Sequence, residues 1–431
     1  MLTSLDYQND VEVLEAKLAS QKAELRDIAT MGAVIASIHE IDAVLSVVMD
    51  MTLRLLDGEV GFIMLEEDER LKLKTCWGVN EEFITTLKHP RGADLATYCH
   101  TYKEAVILHD LKTKSADTGI KIDSVIVMPI KTRDKCYGVL VIINKIDGDN
   151  FSADDSERLE MLLNFVAVAI DNSQLVKDKL RQQHMEQEMV IAGQVQSTIL
   201  PRDITSISGA EIATVYYPAR EVGGDFYDII KISDKKFYVI VGDVSNKGVP
   251  AALVMSASSG IIKSILSSEP NIQVGKLAER LNNLLAREII KEHQMFVTLF
   301  FCMIDLQSER LTYCNAGHIP GLLWDSQNKR VDELSVGGPI VGQFEGIPFE
   351  EGTHVIKSGD GLFLFTDGLT EATDRYDNLF GRERVVNFFR DEIIHPPAVF
   401  CDRLKKHIDQ FSEGSSEENH DDFTLVQIRI E

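Results

Sequence analysis

The stretch from 173 to 200 is too polar to be buried by a domain core. Gln174, Lys177, Asp178, Lys179, Arg181, Gln182, Gln183, Glu186, Gln187 and Glu188 crowd it, and Pro201 closes it. Proline lacks the amide that a continuing helix needs and disfavours helical geometry in the residue before it. The apolar residues of the stretch (Leu175, Val176, Leu180, Met185, Met189, Ile191, Val195, Ile199) keep no clean heptad. Such a helix is a solvated spacer or a weak coiled coil, and either way it separates two parts that must bury their cores independently. A weak seam changes register cheaply, which suits a connector that passes a signal.

What lies before the connector has two parts. Residues 1–30 read as a helix in which Tyr7, Val11, Leu14, Leu18, Gln21, Leu25 and Ile28 recur at spacings of four and three. That is the coiled-coil period, and it predicts a parallel homodimer, against the alternative of a stripe packed on its own domain. Residues 31–172 mix helix and strand: a helix over Val34 to Leu56 stopped by Asp57-Gly58, then strands near 61–65, 71–75, 105–108, 124–130 and 138–144. The last, Gly-Val-Leu-Val-Ile-Ile-Asn, is a β-branched run suited to a central strand. Ser152 or Asp154 caps a closing helix with Leu159, Leu162, Leu163, Val166 and Ile170 on one face.

The chain carries 44 basic and 68 acidic residues among its 431, a formal charge of −24. A surface so acidic repels nucleic-acid phosphates and anionic lipid, so neither is expected as a partner. It suits cation capture. The six cysteines (Cys76, Cys99, Cys136, Cys302, Cys314, Cys401) form no C-x-x-C pair and read as free thiols in a reducing cytoplasm. No secretory leader is visible, and the longest apolar run, Met295 to Ile304, is too short to span a bilayer. A soluble, cytoplasmic chain without membrane insertion is expected.

Residues 31–172, with their order of helix, strands and long closing helix, resemble a GAF sensory domain. Asn144-Lys145, Phe151 and Asp155 are similar to the Asn-Lys…Phe-x-x-x-Asp-Glu signature of cyclic-nucleotide-binding GAF domains, with Ser156 in place of Glu. In those domains the Lys and Asp brace the fold as an ion pair, and Lys145–Asp155 is expected to do the same. Phe62, Trp77 and Phe83 would be core residues. The signal such a domain would receive, a small molecule or a protein, stays open.

Beyond the connector the pattern changes. Asp stands beside Gly at the edge of one strand-like run after another: Gly223-Gly224-Asp225, Gly242-Asp243, Thr366-Asp367-Gly368 and Asp421-Asp422 before the strand 425–430. A single Asp-Gly is a turn signal. Four at strand ends present short, rigid carboxylates at one mouth. An all-carboxylate set without His or Cys is a hard oxygen site, suited to Mg²⁺ or Mn²⁺ and not to Zn²⁺. Two such ions about 3.5–4 Å apart can share and acidify a water and clamp a phosphoryl group.

These segments extend into longer motifs: Ala219 to Asp228, Gly242 to Leu253, Asn315-Ala316-Gly317-His318, Thr366 to Ala372 and Asp421 to Leu425. In this order they resemble the PPM metal-dependent serine/threonine phosphatases of the bacterial RsbU/SpoIIE type. The resemblance spans 201–431 and implies an α/β–β/α sandwich, so an α+β multidomain chain is expected. It implies that Asp243 bridges two Mn²⁺ or Mg²⁺ ions, with the Val244 backbone carbonyl and Asp225 completing one shell and Asp367 and Asp421 holding the other ion. The nucleophile is then water, with no phosphoenzyme. By the same resemblance Asp422 orients Asp421, Asp228 is structural, and His318 is either the acid that protonates the leaving oxygen or a hydrogen-bonded structural group.

Two positions depart from the pattern. Ser245-Asn246-Lys247-Gly248 replaces Ser-Gly-Lys-Gly, and Asn is the residue after Gly that best tolerates positive φ. Ser245 stands near where eukaryotic relatives place a His, and Arg220 lies at a different spacing from Asp225 than their phosphate-binding Arg, which leaves phosphate clamp and leaving-group acid unassigned. The implied substrate is a phosphorylated STAS-type anti-sigma-factor antagonist in a partner-switching pathway. The competing expectation is a GAF-based ligand-sensing scaffold whose phosphatase domain is silent. The helices after the second motif, 251–266 and 277–290, would relay the signal.

Overall fold

A computed structural model describes residues 4–38, 40–78, 94–110, 121–201, 207–289, 295–415 and 421–431. They form two compact units, 1–183 and 184–431.

The N-terminal unit is built on one five-stranded antiparallel sheet in the order β2-β1-β5-β4-β3. The strands are β1 (Gly58–Glu67), β2 (Arg70–Trp77), β3 (Val106–His109), β4 (Ser124–Lys131) and β5 (Cys136–Lys145). β5 shows why the sheet is covered on both sides. Leu140 and Ile142 enter one core with Val48, Met49, Leu162 and Val166, while Val139, Val141 and Ile143 enter another with Phe62, Leu95 and Cys99. Alternation with period two makes every residue of the run apolar.

Three expectations for this unit are revised. The helix foreseen over Val34 to Leu56 is two: α1 (Ser4–Ala36) and α2 (Ile41–Leu55). α1 is continuous with the seam segment, and it buries Ile28 and Ile35 in its own unit while Leu14 and Leu18 stay exposed. The seam side chains of Tyr7, Val11, Gln21 and Leu25, like Phe83, lie outside the described residues. Trp77 is not core: at the end of edge strand β2 it is 65% exposed. The closing helix and the connector are one element. After α3 (Leu95–Tyr102), α4 runs unbroken from Ala153 to Ser197, because nothing between the two segments breaks a helix. Ser152 caps it, its Oγ accepting from Asp155 N at 3.3 Å while Asp155 Oδ2 accepts from Ser152 N at 2.8 Å.

The second unit packs two sheets face to face. One has the order β13-β10-β9-β8-β7 with β14 beside β10, and the other runs β12-β11-β15-β16-β6, where β11 is Gly321–Asp325, β12 Arg330–Leu334, β13 Gly337–Gly338 and β14 Gly352–Val355. The strands that matter for the site are β6 (Ala210–Tyr217), β7 (Phe226–Ser233), β8 (Lys236–Val244), β9 (Val297–Asp305), β10 (Arg310–Ala316), β15 (Gly361–Phe365) and β16 (Phe423–Ile430). On β15, Leu362 and Leu364 fill the space between sheets with Val239, Phe300 and Ile428. Phe363 and Phe365 point outward against Phe389 and Phe400. α5 (Val249–Ser268) and α6 (Val274–Leu284) cover the first sheet; α8 (Arg382–Glu392) and α9 (Pro397–Phe411) cover the second. α4 and α5 are long and apolar enough to cross a membrane by composition alone. α4 nonetheless buries Leu159, Leu162 and Val166, and α5 buries Ala251, Met255 and Ile262, in their own cores.

Candidate metal centre

Each candidate carboxylate sits where a strand begins or ends. Asp225 immediately precedes β7, and Asp243 is the penultimate residue of β8, opposite Thr298 of β9. Asp367 opens the short helix α7 (Asp367–Glu371) after β15, and Asp421 lies two residues before β16. β15 and β16 pair antiparallel, with Phe365 opposite Leu425, so the end of one strand and the start of the other meet at one edge. Pairing brings Asp367 and Asp421 to one edge, and the packing of the two sheets sets Asp225 beside them, its carboxylate bonded to Thr424, 199 positions away.

The carboxylates crowd one another. Burial first, then the charges of Asp367 and Asp421, pushes Asp243 up to about 7, although a hydrogen bond from Asp225 counteracts this. Asp225 is raised well above the carboxylate range by burial and then by Asp243, against hydrogen bonds from Thr366 and Thr424. Asp367 is raised by burial and by Asp421. Burial penalises the charged form and like charges add to the penalty, so this cluster calls for cations.

The backbone around it is tightly held. Thr366 Oγ1 and Thr424 Oγ1 donate to Asp225 Oδ2 at 2.6 and 2.9 Å. Thr424 N in turn donates to Thr366 Oγ1 at 2.9 Å. Gly224 is needed because a Cβ there would stand 2.9 Å from the Val244 carbonyl oxygen, which the close approach places beside the Asp225 loop. Asn246 adopts φ +72° in the loop after Asp243, as its amide side chain permits. That loop carries Lys247, whose Nζ lies 3.1 Å from Asp421 Oδ1. Ser245 is structural here: its Oγ accepts from Phe296 N at 2.8 Å.

Several expectations change role. Asp422 does not turn its carboxylate to Asp421. It accepts from Ala219 N and Gly224 N, both at 2.7 Å, and so holds the loop that leads to Asp225. Its own backbone N donates to Asp421 Oδ1 at 2.8 Å. His318 takes the structural one of its two open roles, because both ring nitrogens are engaged, with Thr298 Oγ1 at 2.8 Å and the Phe365 carbonyl at 3.1 Å. Burial lowers it to about 4, so at neutral pH it has no proton to give to a leaving group. Asp228 is a buried partner of Lys263, Oδ2 to Nζ 2.9 Å. Sequence reasoning passed over Thr366, Thr424, Lys247 and Glu371; burial, then Asp367 and Asp421, raises the last. Their signal was present in the motifs, since each lies within four residues of a candidate Asp.

The residues fit hard divalent cations by chemistry: buried or half-buried, oxygen-only and mutually destabilised as anions. Among the described residues no three side chains form a closed chelate as they stand, because Asp225 is directed at two threonine hydroxyls and Asp421 at Lys247. A cavity of about 200 Å³ opens beside Asp421, lined by Tyr217, Ala219, Gly368, Lys405 and Phe423. A cavity of about 610 Å³ lies in the N-terminal unit between Glu40, Lys74, Tyr137 and Lys177.

Residues 233–431 match the family model of the stage II sporulation protein E (SpoIIE), and residues 40–170 match the GAF domain. The chain thus carries a SpoIIE-type, PP2C-like phosphatase domain and, before it, a GAF domain. Among its relatives is the phosphoserine phosphatase RsbU of Bacillus subtilis, 28% identical over 250 residues, which cover 58% of this chain and 71% of RsbU. Another is the phosphoserine phosphatase RsbP of the same organism, 24% identical over 57% of this chain and 58% of RsbP. The SiaA-PP2C domain of Pseudomonas aeruginosa has the same fold as the SpoIIE-type domain, with a TM-score of 0.52 at 20% identity over 58% of this chain and 99% of that domain. The GAF match includes the Lys145–Asp155 pair, a buried ion pair of 2.9 Å. Burial would raise Asp155, but the Lys145 ion pair and the hydrogen bonds from Ser152 together hold it below its usual range.

Proposed function

We propose that the chain is a signal-regulated protein phosphatase that hydrolyses phosphoserine or phosphothreonine on a small regulatory protein. It would hold two Mg²⁺ or Mn²⁺ ions through Asp225, Asp243, the Val244 carbonyl, Asp367 and Asp421. The observation that carries the reading is Asp243, a half-buried carboxylate held within the charge of Asp367, Asp421 and Asp422 and hydrogen-bonded with Asp225. When bound, the ions supply an acidified water and neutralise phosphoryl charge. The rest is the work of this chain's residues. Thr366 and Thr424 orient Asp225 and Asp422 fixes the loop before it. Lys247 brings a positive charge to the rim, where an anionic phosphoryl group would arrive.

Similarity to RsbU and RsbP supports a phosphoserine substrate, and the resemblance of the motifs to the RsbU/SpoIIE type supports a STAS-type anti-sigma-factor antagonist as the protein that carries it. The GAF domain would take the signal, and the seam of α1 would make the chain a cytoplasmic homodimer. Mn²⁺-dependent phosphate release by the wild type and by Asp243→Asn tests the chemistry; undiminished turnover in the variant would remove it. A pull-down with phosphoproteins of the host cytoplasm tests the substrate class, with an enriched STAS-type phosphoprotein expected. Light scattering after deletion of residues 1–30 tests the dimer, which should become a monomer.

A further inference from the structure

We propose that Gln196 is the positioning residue through which the connecting helix α4 sets the place of Asp225. The inference rests on the metal-site reading above. Along its exposed course α4 presents Met185, Val190, Ile191 and Val195 to solvent. Gln196, in its last turn, is by contrast only 6% exposed. Its Nε2 donates to the Gly223 carbonyl at 2.7 Å, and Gly223 N donates back to its Oε1 at 3.1 Å. A primary amide is the neutral side-chain group that can both donate to and accept from one residue's backbone in this way. Gly223 stands two residues before Asp225.

The contact has no slack. One turn earlier on the helix, a Cβ on Gly193 would lie 2.0 Å from the Glu221 carbonyl oxygen. On the loop, a Cβ on Gly223 would lie 2.6 Å from the Tyr216 hydroxyl and 2.8 Å from Asp422 Oδ2. A second tether ties the same helix end to the strand after Asp225: Lys263 Nζ donates to the Ile199 carbonyl at 2.7 Å and pairs with Asp228 at 2.9 Å. The segment 219–225 is thus held from one side by Asp422 and from the other by the helix. A displacement or rotation of α4 pulls Gly223, and Asp225 must follow or break its bonds to Thr366 and Thr424. Gln196 enters the loop directly, while the second tether runs through Lys263 of α5, one of the helices that the sequence suggests as the relay.

The test uses the full chain carrying Gln196→Met, which keeps the side chain's length and loses both hydrogen bonds, and separately Gly193→Ala, which leaves Gln196 intact and crowds Glu221. Mn²⁺ affinity is measured by calorimetry. Hydrogen exchange of the Gly223 and Gly224 amides is measured in chelator, and hydrolysis of p-nitrophenyl phosphate across a Mn²⁺ titration. Each variant should bind Mn²⁺ about tenfold more weakly, a loss on the order of 1.4 kcal/mol. Each should exchange the Gly223 amide about tenfold faster by the same reasoning, and saturating Mn²⁺ should restore most of kcat. Unchanged Mn²⁺ affinity and Gly223 exchange in both variants would overturn the proposal, as would a fall in kcat with no shift in the Mn²⁺ dependence. Asp243→Asn run in parallel separates the two readings: full turnover there defeats the phosphatase chemistry, while the exchange of Gly223 still judges the clamp.

Discussion

The two units bury charge in opposite ways. In the GAF domain, Lys145 and Asp155 neutralise each other at 2.9 Å, and Asp155 is pulled below its usual range. In the SpoIIE-type domain, Asp225, Asp243 and Asp367 lie buried or half-buried beside one another and all are pushed up. A pair that closes on itself serves the fold. A cluster that does not close costs stability, and the cost is offset when cations arrive. Asp422 and Asp228 are raised too, yet they close on backbone amides and on Lys263, so what separates bracing carboxylates from binding ones is whether their partners close the charge.

The sharpest way to break this contrast is Lys145→Met. It strands Asp155 as an uncompensated buried charge and should destabilise the GAF domain by about 3–5 kcal/mol. Denaturant unfolding followed by Trp77 fluorescence would read the GAF transition, and Mn²⁺ affinity at the other site should not move. Loss of less than about 1 kcal/mol, the range of exposed pairs, would show the bridge to be no brace.

His318 gives the next effect, and it depends on pH. Its folded value, about 4, lies below the ordinary 6.5 because burial disfavours the imidazolium. The unfolded chain therefore takes up a proton between 6.5 and 4 that the folded chain refuses. Stability is whole above about 6.5 and falls as pH drops toward 4, by up to about 3 kcal/mol. In His318→Gln this part of the pH dependence should flatten. An unchanged slope would mean that the ring is not held neutral.

Asp243→Asn should act with the opposite sign to Lys145→Met. In chelator at pH 8 it removes one half-buried anion from the cluster, and thermal melting should show a gain on the order of 1–3 kcal/mol. The Asp243 share of wild-type stability in chelator should be larger at pH 5 than at pH 8, opposite in sign to the His318 share. The difference between wild type and Asp243→Asn at the two pH values isolates it. Folded Asp243, raised to about 7, keeps a proton that an unfolded Asp near 3.8 has already lost. Mn²⁺ should raise the wild-type melting point and leave the variant's nearly unmoved. A destabilised variant in chelator would show that the cluster is held by bonds that outweigh its repulsion.

Much of this was legible in the sequence, and the limits have physical causes. The apolar runs of β5 and β15 read as strands because both faces are buried. Three of the four Asp were found because each adjoins a glycine at a strand edge, and Asp421 because it opens an Asp-Asp pair just before a strand. The break between α1 and α2 and the continuity of α4 escaped, since neither depends on hydrophobic period. Trp77 misled because an aromatic residue at the end of a strand reads as core, and only the sheet order shows β2 to be an edge. Asp422 and His318 were assigned by adjacency to the motifs, whereas their roles depend on which backbone amides and carbonyls face them. Gln196 was hidden in a polar helix, where one glutamine looks like another until the strands bring Gly223 to it.

The finest test concerns the threonines that distinguish Asp225 from a bare buried anion. Thr366→Val keeps shape and removes two bonds at once, the 2.6 Å donation to Asp225 and the acceptor for Thr424 N. Losing a hydrogen bond to a charged group and leaving an amide unpaired each cost about 1–3 kcal/mol when unrelieved. Thr424 still holds the same carboxylate oxygen at 2.9 Å, so the net loss in Mn²⁺ affinity should lie near the lower bound, about tenfold. Calorimetry on the full chain reads it, and melting in chelator should shift little because the threonine no longer steadies a charge that repels its neighbours. If affinity holds and only the melting point falls, the threonines belong with Lys145 as braces of the fold. The contrast between the two units would then rest on the carboxylates alone.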